Sequence, residues 1–347
     1  MKKKVFIVLG LTLTLALSGC NKKDTNNYIG KGTEALEKSD YEEALAQFDD
    51  ALADEVELLQ AYRGLGIAYL GKEDYPNAIV NFGKALAEKG ASHENVKKDL
   101  LYYKGTAQYK NEEYSKAIET FQELLEIEES KDAYYLRGLS QLAEGSVAEA
   151  EEDFRKAISL DPENIHLYIE IYQAYVALGL EEGGTIYLQD ALNISANGSF
   201  NDYNIGQIYY YLKDYESARN SFNQAIENGD QEAMLFLGKV LYELNDIDNG
   251  ITIYQKYLAE VKEDARAYNG LALGKIKKQD YDGALLNIQT GLSMDDGEVK
   301  QNLLFNEIVA YEGKADFATA KEKAAEFVAL YPDDSVGQRE YEFLQTR

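Results

Sequence analysis

The sequence has little of several residue types that carry chemistry or break helices. It contains one cysteine, two histidines, three prolines and no tryptophan among 347 residues. A single cysteine excludes an internal disulfide, and His93 and His166 lie too far apart in sequence to suggest a histidine-based zinc site. The scarcity of proline argues against proline-linked domains and favours long unbroken helices.

Positive charge is also scarce. The chain carries 35 basic and 61 acidic residues, a formal charge of −26. A body this acidic repels phosphate backbones and anionic lipid headgroups. We therefore predict that nucleic acid is not a partner and that any membrane contact comes from an anchor. Hydrophobic residues make up 45% of the chain, which is enough to fold a core.

The amino terminus has the plan of a secretory signal peptide, with three lysines followed by a mostly apolar run from Val5 to Leu17. This run is shorter than the roughly 20 residues that a transmembrane helix needs. It ends in Leu17-Ser18-Gly19-Cys20, which resembles the lipobox of bacterial lipoproteins. The resemblance implies cleavage before Cys20 and a covalent diacylglycerol or acyl lipid on that residue. The alternative is an ordinary secretory signal in which Cys20 is incidental.

These residues predict two short segments ahead of the folded body. Residues 1–19 are the predicted signal peptide, and residues 20–27 are the lipidated cysteine and a short polar linker. Cleavage removes three lysines and takes the charge from −26 to −29. The expected location is extracytoplasmic, with the chain attached to the bacterial cell membrane through its lipid alone and the body close to the bilayer.

The remainder of the chain is repetitive. A small residue, which in several repeats lies four positions after the Asp of an Asp-Tyr pair, can be followed along the sequence, with spacings of 34, 39, 33, 34, 34, 32, 34 and 36 residues. Its nine occurrences are Ala44, Ala78, Ala117, Ala150, Gly184, Ala218, Gly250, Ala284 and Ala320. A glycine usually precedes it by twelve residues, and a large residue, most often phenylalanine, follows it by four.

A period of 34 with these marks resembles the tetratricopeptide repeat family. The resemblance implies an all-α fold, an α-solenoid of about nine helix-turn-helix repeats over residues 28–333, with a capping helix over residues 334–347. The absence of a linker between repeats predicts one continuous superhelix. Four later repeats depart from the pattern: for example, Tyr172, Ala272 and Ile308 replace the first-helix glycine, and Ala324 replaces the phenylalanine. Residues 90–94, inserted before the third repeat, predict an enlarged loop or a longer helix, with His93 exposed.

No catalytic constellation is present, so we predict that the protein is not an enzyme and holds no cofactor. Cys20 is committed to lipid, and His166 has no second histidine with which to share a metal. The acidic stretch that begins at Asp246 has its glycine one residue too early for a calcium loop, and Tyr257 stands where the bidentate glutamate belongs. The stretch before Gly297 also lacks its first acidic ligands.

In the resembled family the first helices line a groove and the second helices form the back. The residues that this arrangement places in the groove nearly cancel in charge, whereas the second helices carry over half of the mature charge. The candidate partner-binding residues are Arg63, Tyr102, Tyr109, Tyr135, Gln173, Tyr203, Gln207, Tyr210, Lys239 and Tyr242. Tyrosine is enriched at binding surfaces, but these rings could instead pack against the next repeat. Glu151, Glu152 and Asp153 are expected on the solvated back.

These features favour a membrane-anchored, non-catalytic scaffold that binds a peptide or partner protein in a Tyr-rich groove. The alternative is a solute- or glycan-binding surface lipoprotein, which would need a closed pocket rather than a long track. The column in which some family members place an asparagine to hold a C-terminal carboxylate contains no asparagine here. A partner recognised by that clamp is therefore disfavoured.

Overall fold

A computed structural model describes residues 27–195, 201–294 and 297–347. Over these residues the chain forms nineteen helices and no strand, as the all-α solenoid prediction requires. The predicted signal peptide, Cys20 and the linker up to residue 26 lie outside the described residues. The chain divides into two compact units, with the boundary between Tyr187 and Leu188, and each unit is described by itself.

In the first unit, first and second helices alternate. Its helices are α1 (Tyr28–Glu37), α2 (Tyr41–Ala53), α3 (Leu58–Gly71), α4 (Tyr75–Ala87), α5 (Glu94–Lys110), α6 (Tyr114–Ile127), α7 (Lys131–Glu144), α8 (Val147–Leu160) and α9 (Ile165–Ala177). The next helix, α10 (Glu181–Ser195), contains the boundary between the units.

The second unit continues the alternation and ends in one unpaired helix. Its helices are α11 (Asp202–Tyr211), α12 (Tyr215–Glu227), α13 (Ala233–Glu243), α14 (Ile247–Glu260), α15 (Ala265–Lys277), α16 (Tyr281–Leu292), α17 (Gly297–Gly313), α18 (Phe317–Leu330) and α19 (Ser335–Leu344). The last of these is the predicted capping helix, and its Leu344 is buried beside Phe327 of α18.

The Asp of the Asp-Tyr pair caps the second helix. In α2 the Asp40 carboxylate accepts a hydrogen bond from the backbone N–H of Glu43, and Asp74, Asp214, Asp280 and Asp316 do the same for their helices. The residue before each second-helix cap position has a left-handed backbone, with φ between +57° and +100°. The nine left-handed turn residues are Ser39, Glu73, Glu112, Gly145, Gly179, Lys213, Asn245, Gln279 and Ala315. Their spacing reproduces the repeat period.

The first-helix glycine makes room for the aromatic ring of its second helix. A Cβ added to Gly66 would lie 2.6 Å from the Phe82 ring, and one added to Gly138 would lie 2.8 Å from the Phe154 ring. Both rings are fully buried. The glycine therefore permits the two helices to approach while the ring fills the space between them, as the repeat pattern predicts.

The degenerate repeats keep this complementarity with the residues exchanged. In the fifth repeat Tyr172 replaces the first-helix glycine, and α10 carries Gly184 where most second helices have alanine: a Cβ on Gly184 would lie 2.8 Å from the Tyr175 Cβ and 3.2 Å from the Tyr172 backbone. In the seventh repeat Tyr254 packs against Gly238, and Tyr242 packs against Gly250 in the opposite direction. In both pairs of the seventh repeat a large residue on one helix faces a glycine on the other. In the second pair the large residue lies on the first helix and the glycine on the second.

The insertion before the third repeat lengthens both the loop and the helix. The loop runs from residue 88 to residue 93, and α5 then extends over 17 residues. His93 is exposed there, as predicted. Both of the alternatives that the sequence left open are therefore present together.

Candidate functional site

The first helices of each unit lie beside one another. In the first unit α1 contacts α3, α3 contacts α5, α5 contacts α7, and α7 contacts α9; in the second unit α11, α13, α15 and α17 are joined in the same way. We call the surface formed by these helices the first-helix row of each unit. The predicted partner-binding residues all lie on these helices.

Four of the predicted groove residues are buried. Tyr109 is 8% exposed, Tyr135 4%, Gln207 7% and Tyr242 5%. The Tyr242 hydroxyl donates a hydrogen bond to the backbone carbonyl of Gly270 at 3.0 Å, so this side chain joins two repeats. These four side chains correct the groove prediction, since they pack in the core and offer little surface to a partner.

Arg63 is half-buried and already paired. Its guanidinium donates two hydrogen bonds to the Asp99 carboxylate, at 2.5 Å from Nε and 2.8 Å from Nη2. It also lies over the Tyr103 ring, 5.6 Å from the ring centroid. A bidentate pair of this kind fixes the side chain, so Arg63 holds α3 against α5.

The first-helix row of the first unit also carries the acidic side chains Asp132 and Glu170. Asp132 begins α7 and its side chain is 64% exposed, while Glu170 is half-buried on α9. Burial raises the pKa of Tyr102 on α5 to about 12, and the nearby Asp132 carboxylate adds to the rise. We define the acidic patch as Tyr102, Asp132, Tyr135 and Glu170.

Glu170 was missed by the sequence analysis. It is the single charged carboxylate in the otherwise largely apolar helix Ile165–Ala177, and an acid in such a setting is the signal that could have identified it. Burial raises its pKa, and the charge of Asp132 acts in the same direction. Gln173, one turn further along α9, is exposed.

The second unit concentrates aromatic rings on its row. The Phe236 ring of α13 lies 5.8 Å from Tyr203 and 5.7 Å from Tyr210, both of α11, with edge-to-face geometry. The Lys239 ammonium lies over the Phe236 ring, 4.7 Å from its centroid. Tyr203, Tyr210 and Phe236 are half-buried, and Lys239 is exposed. Phe236 was missed by the sequence analysis; its place one turn before Lys239 is the signal for it.

Gln207 lies at the base of these rings. Its amide nitrogen donates a hydrogen bond to the Tyr203 hydroxyl at 3.2 Å, whereas its carbonyl oxygen is buried without a partner. Burial raises the pKa of both Tyr203 and Tyr210 to about 12, so both hydroxyls are protonated donors at neutral pH. We define the aromatic patch as Tyr203, Gln207, Tyr210, Phe236 and Lys239.

The back of the first unit differs from its prediction at one residue. Asp153 is 2% exposed, and its carboxylate accepts two hydrogen bonds of 2.6 Å from the Arg137 guanidinium of α7. The expectation of a solvated Asp153 is therefore wrong, because its pairing with Arg137 joins α7 to α8. Glu152 is exposed, as expected, and Glu151 is half-buried.

Residues 27–195, 201–294 and 297–347 contain no group of three or more histidine, cysteine or acidic side chains that could hold a metal ion. Among the same residues, none of the helices combines the length and the apolar character that crossing a membrane requires.

Comparison with known proteins agrees with the repeat architecture. The chain is 24% identical over 192 residues to the BBSome complex member BBS4 of Bos taurus, and 31% identical over 161 residues to a DnaJ protein P58IPK homolog of Arabidopsis thaliana. These alignments cover 55% and 41% of this chain but only 37% and 33% of the relatives, so the chain spans about a third of their length.

A solved structure shows the same fold over nearly the whole chain. The structure of yeast Tom70 aligns with a TM-score of 0.51 at 16% identity, covering 92% of this chain and 87% of Tom70. The family model described as tetratricopeptide repeat matches residues 29–94, 99–165 and 203–270, which together exceed half of the chain. The alternating helical hairpins, the glycine–aromatic packing within many of them and these matches show that the chain belongs to the tetratricopeptide repeat family.

Proposed function

We propose that the protein is a membrane-anchored, non-catalytic scaffold that binds a peptide or a partner protein on its first-helix rows. The tetratricopeptide repeat fold is suited to protein–protein interaction, and BBS4, one of the relatives, is named as a member of a protein complex. We also propose that the chain has no enzymatic activity and needs no cofactor.

The observation that carries the proposal is the aromatic patch, in which the half-buried rings of Tyr203, Tyr210 and Phe236 lie beside the exposed Lys239. These rings supply rigid contact area, which is typical of binding surfaces.

The anchor is a separate part of the proposal. The Leu17-Ser18-Gly19-Cys20 sequence supports lipidation at Cys20 and an extracytoplasmic location at the bacterial membrane. One acyl chain gives marginal membrane binding, whereas two or three anchor a protein stably. Cys20→Ser should release the chain from membranes or leave the precursor uncleaved; a processed variant that fractionates with membranes as wild type does would contradict the anchor.

Photo-crosslinking tests the binding surface. A photoreactive phenylalanine analogue at position 203 or 210 should capture a protein or peptide in intact cells, because these rings face the proposed partner. The matched control is the same analogue at Asn220, which is exposed on the second helix α12. Capture from position 220 but not from 203 or 210 would move the site to the back of the repeats.

A further inference from the structure

We infer that the outer face of helix α19 binds the same face of a second copy of the chain, with the two helices antiparallel. This inference goes beyond the proposed partner binding and concerns the second unit alone. We call the surface the terminal face and define it as Val336, Arg339, Glu342 and Phe343, which are all exposed.

Helix α19 buries one side and exposes the other. Its Leu344 and Gly337 are buried, and a Cβ added to Gly337 would clash with the Phe327 ring of α18. The four residues of the terminal face are separated by three, four or seven positions, a spacing that places them on one side of a helix. This side is turned away from Gly337 and Leu344, and within the described part of the chain its side chains stay exposed.

Exposed apolar side chains are concentrated on the last two helices. Nine large hydrophobic side chains are exposed among the described residues, and four of them lie on α18 and α19. Two are Phe317 and Leu330, at the two ends of α18; the others are Val336 and Phe343 of the terminal face, which are 47% and 43% exposed. A terminal repeat needs a polar outer face for solubility, and exposed apolar surface of this kind marks interaction sites. The terminal face is therefore suited to being covered by another protein surface.

The charge of α19 permits contact between two copies, whereas the charge of the whole chain opposes it. The chain carries −26, so two copies repel one another over most of their surface. Residues 335–347 contain two arginines and two glutamates, and their net charge is therefore zero. Net charge does not oppose the association of two identical chains at this helix.

The two charged residues of the terminal face have no ion pair within one chain. Arg63 and Arg137 each donate two hydrogen bonds to a carboxylate of their own unit. Arg339 instead donates one hydrogen bond, from Nε to the backbone carbonyl of Ser335 in its own helix, at 3.0 Å. Within the described residues neither Arg339 nor Glu342 enters an ion pair. Exposed arginines are among the residues that contribute most to interfaces.

An antiparallel arrangement makes the terminal face complementary to itself. In a two-fold dimer every contact occurs twice, because residue i of one copy meets residue j of the other and j meets i. With the axis between residues 340 and 341, Arg339 of each copy lies level with Glu342 of the other, and Val336 lies within one helical turn of Phe343. The arrangement therefore forms two ion pairs and covers two apolar side chains from each copy.

The Phe343 ring is held in place before any partner arrives. The Arg347 guanidinium lies over the Phe343 ring and over the Phe317 ring of α18, 4.8 and 5.7 Å from their centroids. These cation–π contacts restrict the ring, so that less conformational entropy is lost on binding. The face of a ten-residue helix is only about 15 Å long, which is small for a stable interface. We therefore expect a reversible dimer with a dissociation constant of about 10 μM.

The test exchanges the two charges of the terminal face and follows self-association by sedimentation velocity. The full-length chain is measured in a non-ionic detergent, over concentrations on both sides of about 10 μM. Arg339→Glu and Glu342→Arg each bring like charges together in a homodimer. An equimolar mixture of the two variants brings opposite charges together again. Matched controls are Lys31→Glu on α1 and Glu152→Arg on α8, which change the charge equally at exposed positions. Circular dichroism checks the helicity of each variant.

We expect wild type and both controls to form dimers. Each single variant of the terminal face should self-associate about tenfold more weakly, because like charges across an interface are unfavourable. The equimolar mixture should associate as wild type does, and so should the double variant Arg339→Glu with Glu342→Arg, in which the two charges exchange places. The double variant also serves if a single variant loses helicity.

Three results would overturn the inference. The first is a wild-type chain that stays monomeric over the whole concentration range. The second is a dimer that the single variants leave intact, or a mixture that associates no better than either variant alone, because the second copy would then not bind at α19. The third is an equal loss in the control variants, which would show a general charge effect. None of these results bears on the aromatic patch, so the proposed function is tested separately.

Discussion

The two units present different chemistry on the same kind of surface. In the first unit the row carries carboxylates, with Asp132 and Glu170 beside phenol rings; in the second it carries three aromatic rings with Lys239 above them. The buried polar groups of the two rows also differ, because the Gln207 carbonyl oxygen in the second unit has no partner, whereas the Tyr135 hydroxyl in the first unit interacts with Glu170.

The difference shows what a repeat fold leaves open. Tyr135 and Tyr203 both lie three residues before a first-helix glycine, at Gly138 and Gly206. Tyr135 is nevertheless buried, whereas Tyr203 is half-exposed. The position within a repeat therefore places a side chain on the first-helix row. Contacts with the neighbouring repeat then determine whether that side chain is exposed to a partner.

The largest effect on stability is expected from removing a buried phenylalanine ring that packs against one of the two patches. Phe222 contacts Tyr203 and Phe236 of the aromatic patch at centroid distances of 6.0 and 5.5 Å, and Phe154 contacts Tyr135 of the acidic patch at 6.1 Å. Phe222→Ala and Phe154→Ala should each cost about 3–5 kcal/mol of unfolding free energy, because both rings are fully buried. Denaturant unfolding followed by circular dichroism measures the loss.

These two variants also separate the patches. In conditions where both variants remain folded, Phe222→Ala should weaken partner binding, because its ring supports the aromatic patch, and Phe154→Ala should leave that binding unchanged. The same binding defect in both variants would show that the two rows do not act separately.

The next effect is on binding alone. Replacing Tyr203 and Tyr210 by alanine should weaken partner binding by about 2–4 kcal/mol if these residues are hot spots. Affinity should depend weakly on salt, since ring contacts are not screened as exposed ion pairs are. Titration of the captured partner at two salt concentrations measures both quantities. A control with Glu149 and Glu152 neutralised should bind as wild type, and a steep salt dependence with intact binding by the tyrosine variant would contradict the assignment.

A pH effect distinguishes the acidic patch from a structural ion pair. Burial raises the pKa of Glu170 in the folded chain, and this effect exceeds the opposing effects of His166, Tyr135 and Lys131. The folded state therefore binds a proton more tightly than the unfolded state, and stability falls as pH rises through the folded pKa.

Glu170→Gln should consequently be more stable than wild type at neutral pH, and the difference should shrink as the pH is lowered towards 4, where wild-type Glu170 also binds a proton. Thermal unfolding across this range measures the difference. Glu149→Gln, exposed on α8, is the control and should change little. A destabilised Glu170→Gln at neutral pH would mean that the carboxylate stabilises the fold.

Most of the architecture was predictable because it is encoded by local steric rules that repeat. The 34-residue spacing, the Asp caps and the glycine opposite a phenylalanine each follow from one helical hairpin, and all three are present in the structure. The second pairing in the seventh repeat could not be predicted by matching residues position by position, because there the ring of Tyr242 lies on the first helix and Gly250 on the second.

The candidate site was less predictable than the fold. The sequence placed residues on the first helices correctly but could not give their exposure, which depends on contacts with the next repeat. Tyr242 is buried because Gly250 leaves space for its ring, and Asp153 is buried because Arg137 pairs with it. In both cases the residue that explains the burial lies on another helix.

The smallest effect on stability is expected at the turns, which contain no residue of either patch. Gly145 in the first unit and Gln279 in the second occupy the same turn position with φ of +100° and +59°. Gly145→Ala should cost about 1–2 kcal/mol, because a Cβ is disfavoured in the left-handed region. Gln279→Gly should change stability by only about 0.5 kcal/mol, since relief of that strain is offset by the greater freedom of glycine in the unfolded chain. Both variants should bind the captured partner as wild type does once folded, so a binding defect in either would show that backbone changes at the turns reach the first-helix rows.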